Sequence, residues 1–259
     1  MSVPVNVSAE GSVGIIELAR PDKFNCLSLE IHECISRARE SFEADGDIRS
    51  ILICAQGKHF CTGADLTEVK GKMSDAQALD HFIAFGMEGL RRLEQSRLPV
   101  VVAVQGLCLA GGLELMLSCD VCFAAESAQF GDQHAQFGLI PGWGGSQRLT
   151  RLMGLRRALD LMFSARWLKA DEAKEAGLVN YVVPDQELRQ AALNYCVTIG
   201  TRSRPGIAEM KRLAREGADM GLDQQMRLER DAAVRALRSE DVAEGLDAFE
   251  NRRAPAFKA

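Results

Sequence analysis

Glu114 stands in an apolar run, Leu113-Glu114-Leu115-Met116-Leu117, directly after the pair Gly111-Gly112. A carboxyl group flanked by leucines is disfavoured in its charged form, so its pKa rises toward the range useful for general acid and base catalysis. Ahead of the glycines, Pro99 opens the run Val100-Val101-Val102-Ala103-Val104, which is short, unbroken and rich in β-branched residues and so predicts a buried strand. Ala110-Gly111-Gly112 then predicts the start of an apolar helix. Backbone N–H groups at such a start lack acceptors, and a glycine lets a ligand approach them without a Cβ in the way. That arrangement suits a developing oxyanion one turn from a tuned carboxyl. The same residues also fit a plainer role, close helix packing and a structural buried acid. Two phosphate-binding motifs are excluded: Gly112 stands where a P-loop needs Lys, and no G-x-G-x-x-G follows a strand here.

The elements that must position these groups alternate along the chain. Val3 to Val7 and Val13 to Leu18 predict a hairpin about Glu10-Gly11-Ser12. A loop at Pro21 to Asn25 leads to Ser28, which predicts a helix cap before Ile31, Ile35, Ala38 and Phe42 on one face, with Gly46 as the stop. Ile51 to Cys54 predicts a buried strand, followed by the loop Gln56 to Gly63. Beyond Ala64-Asp65-Leu66 the sequence turns polar and suits a mobile lid. Ser74 and Gln77 then form a capping-box pattern for a helix to about Ser96. Val121 to Ala124 predicts a further strand, and the turn Ile140-Pro-Gly-Trp-Gly-Gly145 leads into helical sequence over 149–163. From Asp185 to about Phe249 strand signals vanish and amphipathic helices take over, with Ser239-Glu-Asp as an acidic helix start.

A chain of 259 residues that is 47% hydrophobic can bury a substantial core. A net charge of −5 argues against general nucleic-acid affinity, which depends on clustered Lys and Arg. No apolar stretch reaches the roughly 18 residues of a membrane span, and Met-Ser-Val-Pro-Val-Asn-Val lacks the character of a signal peptide. The expectation is a soluble, cytoplasmic protein with a small-molecule partner. Cys54, Cys108, Cys119, Cys122 and Cys196 fall in apolar strand or helix patterns and read as buried thiols. Cys119-Asp-Val-Cys122 has no second pair, and His32, His59, His81 and His134 show no H-E-x-x-H spacing, so no catalytic metal is expected.

Three segments together resemble the enoyl-CoA hydratase/isomerase, or crotonase, superfamily. They are Gly57-Lys-His-Phe-Cys-Thr-Gly-Ala-Asp-Leu66; Gly106-Leu-Cys-Leu-Ala-Gly-Gly-Leu-Glu-Leu115 with Ser118-Cys-Asp120; and Phe130-Gly131 through Phe137-Gly-Leu-Ile-Pro-Gly-Trp-Gly-Gly-Ser-Gln-Arg-Leu149. Lys169-Ala-Asp-Glu-Ala-Lys-Glu-Ala-Gly-Leu-Val179 and the C-terminal Phe257-Lys258 extend the resemblance over nearly the whole chain. It implies an α/β fold of crotonase type, a ββα spiral over residues 1–184 with a helical C-terminal subdomain over 185–259 that assembles the chain as a trimer or dimer of trimers. It also implies an acyl-CoA ligand and no separate cofactor.

By the same resemblance, the backbone N–H groups of Ala64 and Gly111 form an oxyanion hole for the thioester carbonyl. Asp65, Leu66 and Thr67 lie in the segment that contacts acyl-CoA, Phe24 lies in a loop lining CoA, and Lys258 reaches a neighbour's CoA site, although a frayed terminus would explain Lys258 equally. Glu114 matches one of the two glutamates that family hydratases use to activate water and shuttle a proton. The second is absent, and His134 holds its position within Asp132-Gln-His-Ala-Gln136. Histidine can accept or donate a proton near neutral pH, and beside Glu114 the pair would favour Glu114⁻/His134⁺. Packing alone would also account for a lone histidine. Trp143 could line the acyl pocket or simply fill core. The expected reaction is hydration of a 2-enoyl-CoA or its reverse. Double-bond isomerisation, thioester hydrolysis, decarboxylation, retro-aldol cleavage and a catalytically idle acyl-CoA-binding subunit are the alternatives.

Overall fold

The computed structural model describes residues 3–257. Strands β1 (Val5–Glu10) and β2 (Val13–Leu18) form the antiparallel hairpin. β1 extends beyond the predicted Val7, because pairing with β2 carries the ladder out to Glu10 opposite Val13, where the sequence no longer alternates. Helix α1 (Leu29–Ala44) starts on Ser28, whose hydroxyl accepts from the Ile31 N–H. It ends on Asp45, not on Gly46, since the Asp45 N–H closes the last turn on the Ser41 carbonyl. Strand β3 (Ser50–Ala55) follows, then α2 (Leu66–Lys72) across the predicted lid and α3 (Ala76–Glu94). The Ser74/Gln77 capping box does not form. Asp75 caps α3 instead, its carboxylate accepting from both Gln77 and Ala78 N–H groups, which an anion at a helix start does well.

The middle of the chain supplies β4 (Val100–Val104), β5 (Leu107–Leu109), α4 (Gly111–Leu117), β6 (Val121–Ala125), β7 (Gln129–Gly131), α5 (Gly145–Met153), α6 (Leu155–Ser164), β8 (Leu168–Lys169), α7 (Ala170–Glu175) and β9 (Tyr181–Val183). The C-terminal region supplies α8 (Leu188–Gly200), α9 (Arg204–Gly217), α10 (Leu222–Ala236) and α11 (Glu240–Glu250). Among the described residues no strand follows β9, in line with the helical region expected from Asp185.

A six-stranded sheet runs β1-β2-β3-β4-β6-β9, parallel from β2 onward, and a second sheet runs β5-β7-β8. β4 and β6 each pass into a short strand of the second sheet, and β5 pairs β7 in parallel, which makes successive ββα turns of one spiral. Strands with both faces covered should read as continuous apolar runs, and β3 and β4 do. Ile51, Ile53, Val100, Val102 and Val104 face the core beneath α1, α3 and α4, while Leu52, Val101 and Ala103 face Leu188, Ala192 and Cys196 of α8. All eight cysteines are free, and Cys54, Cys108, Cys119, Cys122 and Cys196 are buried. Among the described residues no group of three His, Cys, Asp or Glu side chains is placed to hold a metal ion, and no helix is long and apolar enough to cross a membrane.

Candidate active site

A cavity of about 950 Å3 opens where α2, α3, α4 and the turn before α5 converge. It brings together Ala64, Asp65, Leu66, Thr67, Gly111, Glu114, His134 and Trp143, residues drawn from three well-separated stretches of sequence. Phe24 is not among its walls. That ring is half exposed and stacks on His59 with centroids 5.6 Å apart, while its neighbours Lys23 and Cys26 reach the cavity. Lys258 lies outside the described residues.

The floor of the cavity is made of backbone. Ala110 adopts φ 47° and ψ −119°, a conformation unfavourable to a residue with a Cβ, and its N–H is held by the Gly131 carbonyl at 2.9 Å. That kink turns the chain into α4 with the Gly111 N–H at its start. A Cβ on Gly111 would lie 3.2 Å from the Ala64 nitrogen, so the two amides are neighbours. Neither donates to an acceptor among the described residues. The reason for glycine at 111 differs from the sequence expectation: the space of the missing Cβ is taken by the Trp143 ring, 2.6 Å from the ideal Cβ position, and not left open for a ligand. The Ala64 loop is fastened by Asn25, fully buried, whose amide donates to the Gln56 and His59 carbonyls at 3.0 and 2.9 Å. Asp65 lines the cavity, yet its carboxylate already caps α2 through the Thr67 and Glu68 N–H groups and pairs with Arg20 at 3.2 Å.

The wall facing these amides carries the titratable groups. Glu114 is 2% exposed. Its Oε1 accepts from the Trp143 and Gly145 N–H groups at 2.7 and 2.8 Å, the latter at the start of α5. A side chain at 145 would press on Glu114, its ideal Cβ lying 3.1 Å from Oε1, so glycine there is what lets the helix start reach the carboxylate. Burial pushes the Glu114 carboxyl above its usual range, against the pull of those N–H groups and of His134. Its other oxygen, Oε2, lies 3.9 Å from His134 Nε2. His134 sits in a 3-10 turn, His134–Phe137, with Nδ1 3.0 Å from Asp132 Oδ1. Burial lowers the histidine, but the hydrogen bond and charge of Asp132, with the charge of Glu114, outweigh it and leave the pKa raised. Asp132 was not singled out in the sequence; its place two residues before His134 is the only local signal.

Trp143 is buried and lines the cavity. It packs against Phe82 at 5.5 Å and meets the His32 ring edge-on at 4.6 Å. Gly86 on α3 makes the room, since a Cβ there would lie 2.5 Å from the indole nitrogen. Burial pushes His32 down to about 4, so it is a neutral packing partner at ordinary pH.

Comparisons with known proteins identify the family. The family model described as enoyl-CoA hydratase/isomerase matches residues 8–259. A protein of Rhizobium meliloti named a probable enoyl-CoA hydratase is 34% identical over 97% of this chain and 96% of its own. The short-chain-enoyl-CoA hydratase of Clostridium acetobutylicum is 33% identical over 98% and 97%. The crystal structure of an enoyl-CoA hydratase from Bacillus anthracis superposes with a TM-score of 0.94 at 33% identity, covering 98% of this chain and 99% of that one. With a cavity lined by two unpaired backbone donors, a buried Glu114 and a partly buried His134, and with matches that run almost end to end, the chain belongs to the enoyl-CoA hydratase/isomerase family.

Proposed function

We propose that the protein adds water across the double bond of a 2-enoyl-CoA thioester, and catalyses the reverse, with Glu114 and His134 dividing the proton transfers. The observation that carries this reading is the pairing of two neighbouring free N–H groups, Ala64 and Gly111, with a carboxyl and an imidazole only 3.9 Å apart across one cavity. The thioester oxygen accepts from both amides. Charge grows on that oxygen as the enolate forms, so the two donors stabilise the transition state more than the bound substrate. Glu114 as carboxylate takes a proton from water while the hydroxyl oxygen bonds to the β-carbon. His134 as imidazolium gives its Nε2 proton to the α-carbon. Transfer of the captured proton from Glu114 to His134 then restores the starting state. CoA enters as part of the substrate, and the reading calls for no further cofactor.

Asp65, Leu66 and Thr67 guide the thioester and pantetheine end, Phe24 meets CoA outside the cavity walls, and Trp143 with Phe82 closes the acyl end. Self-association as a trimer or dimer of trimers uses the helices beyond Asp185, a role supported by the apolar side chains they leave exposed, including Met226, Leu237 and Phe249, the last 82% exposed. Lys258 then serves a neighbour's CoA site, and light scattering on dilute protein should give more than one chain per particle.

The deciding measurement is incubation with straight-chain 2-enoyl-CoA thioesters followed by mass spectrometry. Gain of one water is expected. An unchanged mass with altered retention would replace the reading by isomerisation, and free CoA would replace it by thioester hydrolysis.

A further inference from the structure

Asp132 follows β7 directly and is buried to 1% exposure. It makes three contacts with the residue two positions on: its carbonyl and, at 3.4 Å, its Oδ1 both accept from the His134 backbone N–H, and its Oδ1 lies 3.0 Å from His134 Nδ1. Its second oxygen, Oδ2, is buried with no hydrogen-bond partner among the described residues. Closing the turn does not need this carboxylate, because the backbone bond closes it and Asn would offer the same Oδ1 without a buried charge. What the charge does add is a fixed proton on Nδ1. A carboxylate facing one ring nitrogen of histidine sets which nitrogen carries the proton and which is left for chemistry, here Nε2 toward Glu114.

The charge balance of the site points the same way. Two carboxyl groups in contact share one proton and carry a net charge of about −1. Glu114⁻ with His134⁺ alone would carry none. With Asp132⁻ included the sum returns to −1, so histidine at this place keeps the charge of a carboxylate pair only in company with Asp132. Glu114 and Asp132 are the charged groups acting on the ring. On α6, which packs against the same turn, Arg156, Arg157 and Asp160 are exposed, and Asp160 pairs with Arg166. Gln133, between the two, is neutral and donates to the Ala165 carbonyl at the next loop.

We propose that Asp132 is a positioning residue for the reaction, holding the His134 ring with its proton on Nδ1 and Nε2 toward the substrate, and holding the ring charged beside Glu114. This rests on the hydratase reading above.

The test is the pH profile of kcat for hydration of a short straight-chain 2-enoyl-CoA by the whole protein and its variants. Asp132→Asn should lower kcat about tenfold or more while KM changes little, and should move the alkaline limb to lower pH, because the charge that keeps His134 protonated is gone. Asp132→Asn combined with His134→Gln should be no slower than His134→Gln alone, since one residue acts through the other. In a His134→Glu background, adding Asp132→Asn should not slow the enzyme, there being no ring to orient. An unchanged kcat and alkaline limb in Asp132→Asn, or losses that multiply in the double variant, would overturn the inference while leaving the hydratase reading in place. Full hydration activity in His134→Gln would overturn the inference together with the proton-transfer role of His134, whereas failure of the unaltered protein to add water to any straight-chain 2-enoyl-CoA thioester would overturn the hydratase reading itself. Should Asp132→Asn not fold, nitrogen NMR of the unaltered protein decides: a neutral His134 protonated on Nε2 and bare on Nδ1 is incompatible with the role.

Discussion

Two buried glutamates with different partners show what burial alone does not decide. Glu94 at the end of α3 is 6% exposed and Glu114 on α4 is 2% exposed. Burial raises both carboxyls. At Glu94 it is overcome by guanidinium groups: Arg148 spans both carboxylate oxygens at 3.2 and 3.0 Å, Arg215 meets Oε1 at 2.8 Å and Arg91 meets Oε2 at 2.7 Å, so the pKa ends below the usual value. At Glu114 the partners are two backbone N–H groups and an imidazole, which are too weak to cancel burial, and the pKa ends above it. The first carboxylate, held charged by its arginines, is a rivet joining α3, α5 and α9. The second can change protonation state during a reaction. The partner's charge, rather than depth, separates structural from chemical acids here.

The comparison can be broken by removing each charge without changing its shape. Glu114→Gln should cost activity and little else: kcat should fall by roughly a thousandfold, within the range for loss of a general acid or base, with CoA affinity nearly intact because the oxyanion donors are backbone. If turnover persists within a few-fold, Glu114 belongs with Glu94 as a structural acid. Glu94→Gln should do the reverse. Leaving three arginines without their shared partner should destabilise the fold by about 3 to 5 kcal/mol in denaturant unfolding, while kcat of the folded fraction stays within a few-fold.

The pH dependence sharpens the same contrast. Glu94 has a depressed pKa in the folded state, so its contribution to stability is present above the carboxyl pKa of the unfolded chain and is lost as pH falls through the lower folded value. Activity has two limits. As pH falls, protonation of Glu114 stops it at a pH above that of an ordinary carboxyl; as pH rises, deprotonation of His134 stops it above the ordinary histidine value. The two limbs belong to the coupled pair, and a kcat profile should show both, with the alkaline limb lost and only the acid limb left in His134→Gln. A profile flat across the neutral range would remove the Glu/His pair from the chemistry.

The smallest expected effect lies at the acyl end. Trp143→Ala should open space toward Gly86 and His32, and shift kcat/KM by about tenfold in favour of longer acyl chains, the scale of a few methylenes in an apolar pocket. Gly86→Ala should push the indole, since its Cβ would sit 2.5 Å from the Trp143 nitrogen, at a cost of about 1 to 3 kcal/mol in stability. If neither variant alters chain-length preference, Trp143 is core filling and nothing more.

Much of the fold and the heart of the site could be read locally. The valine run that follows Pro99, the glycines after it and the leucines around Glu114 each state their environment within a few residues, because strand burial, helix start and desolvation are short-range properties. Ser28 as a cap was legible for the same reason, and Asp75 was missed only because Ser74 beside it also satisfies the pattern.

What remained hidden depends on contacts far along the chain. Glu94 looks like any helix-end acid until Arg148 and Arg215, 54 and 121 residues away, close on it. Asn25 reads as loop material until its amide ties down the Gln56–His59 stretch that leads to Ala64. Gly111 could be recognised as essential, but its purpose could not, since the Trp143 ring that occupies its missing Cβ arrives from a separate turn. Residue types and their order thus determined by themselves the α/β alternation, the helix start at Gly111 and the presence of Glu114 and His134. Only the tertiary structure decided that their reactive atoms lie 3.9 Å apart and that Asp132 stands behind the histidine. Distance and hydrogen-bond direction depend on how the spiral stacks its turns, and a protonation state follows from all the charges around a group rather than from its neighbours in sequence.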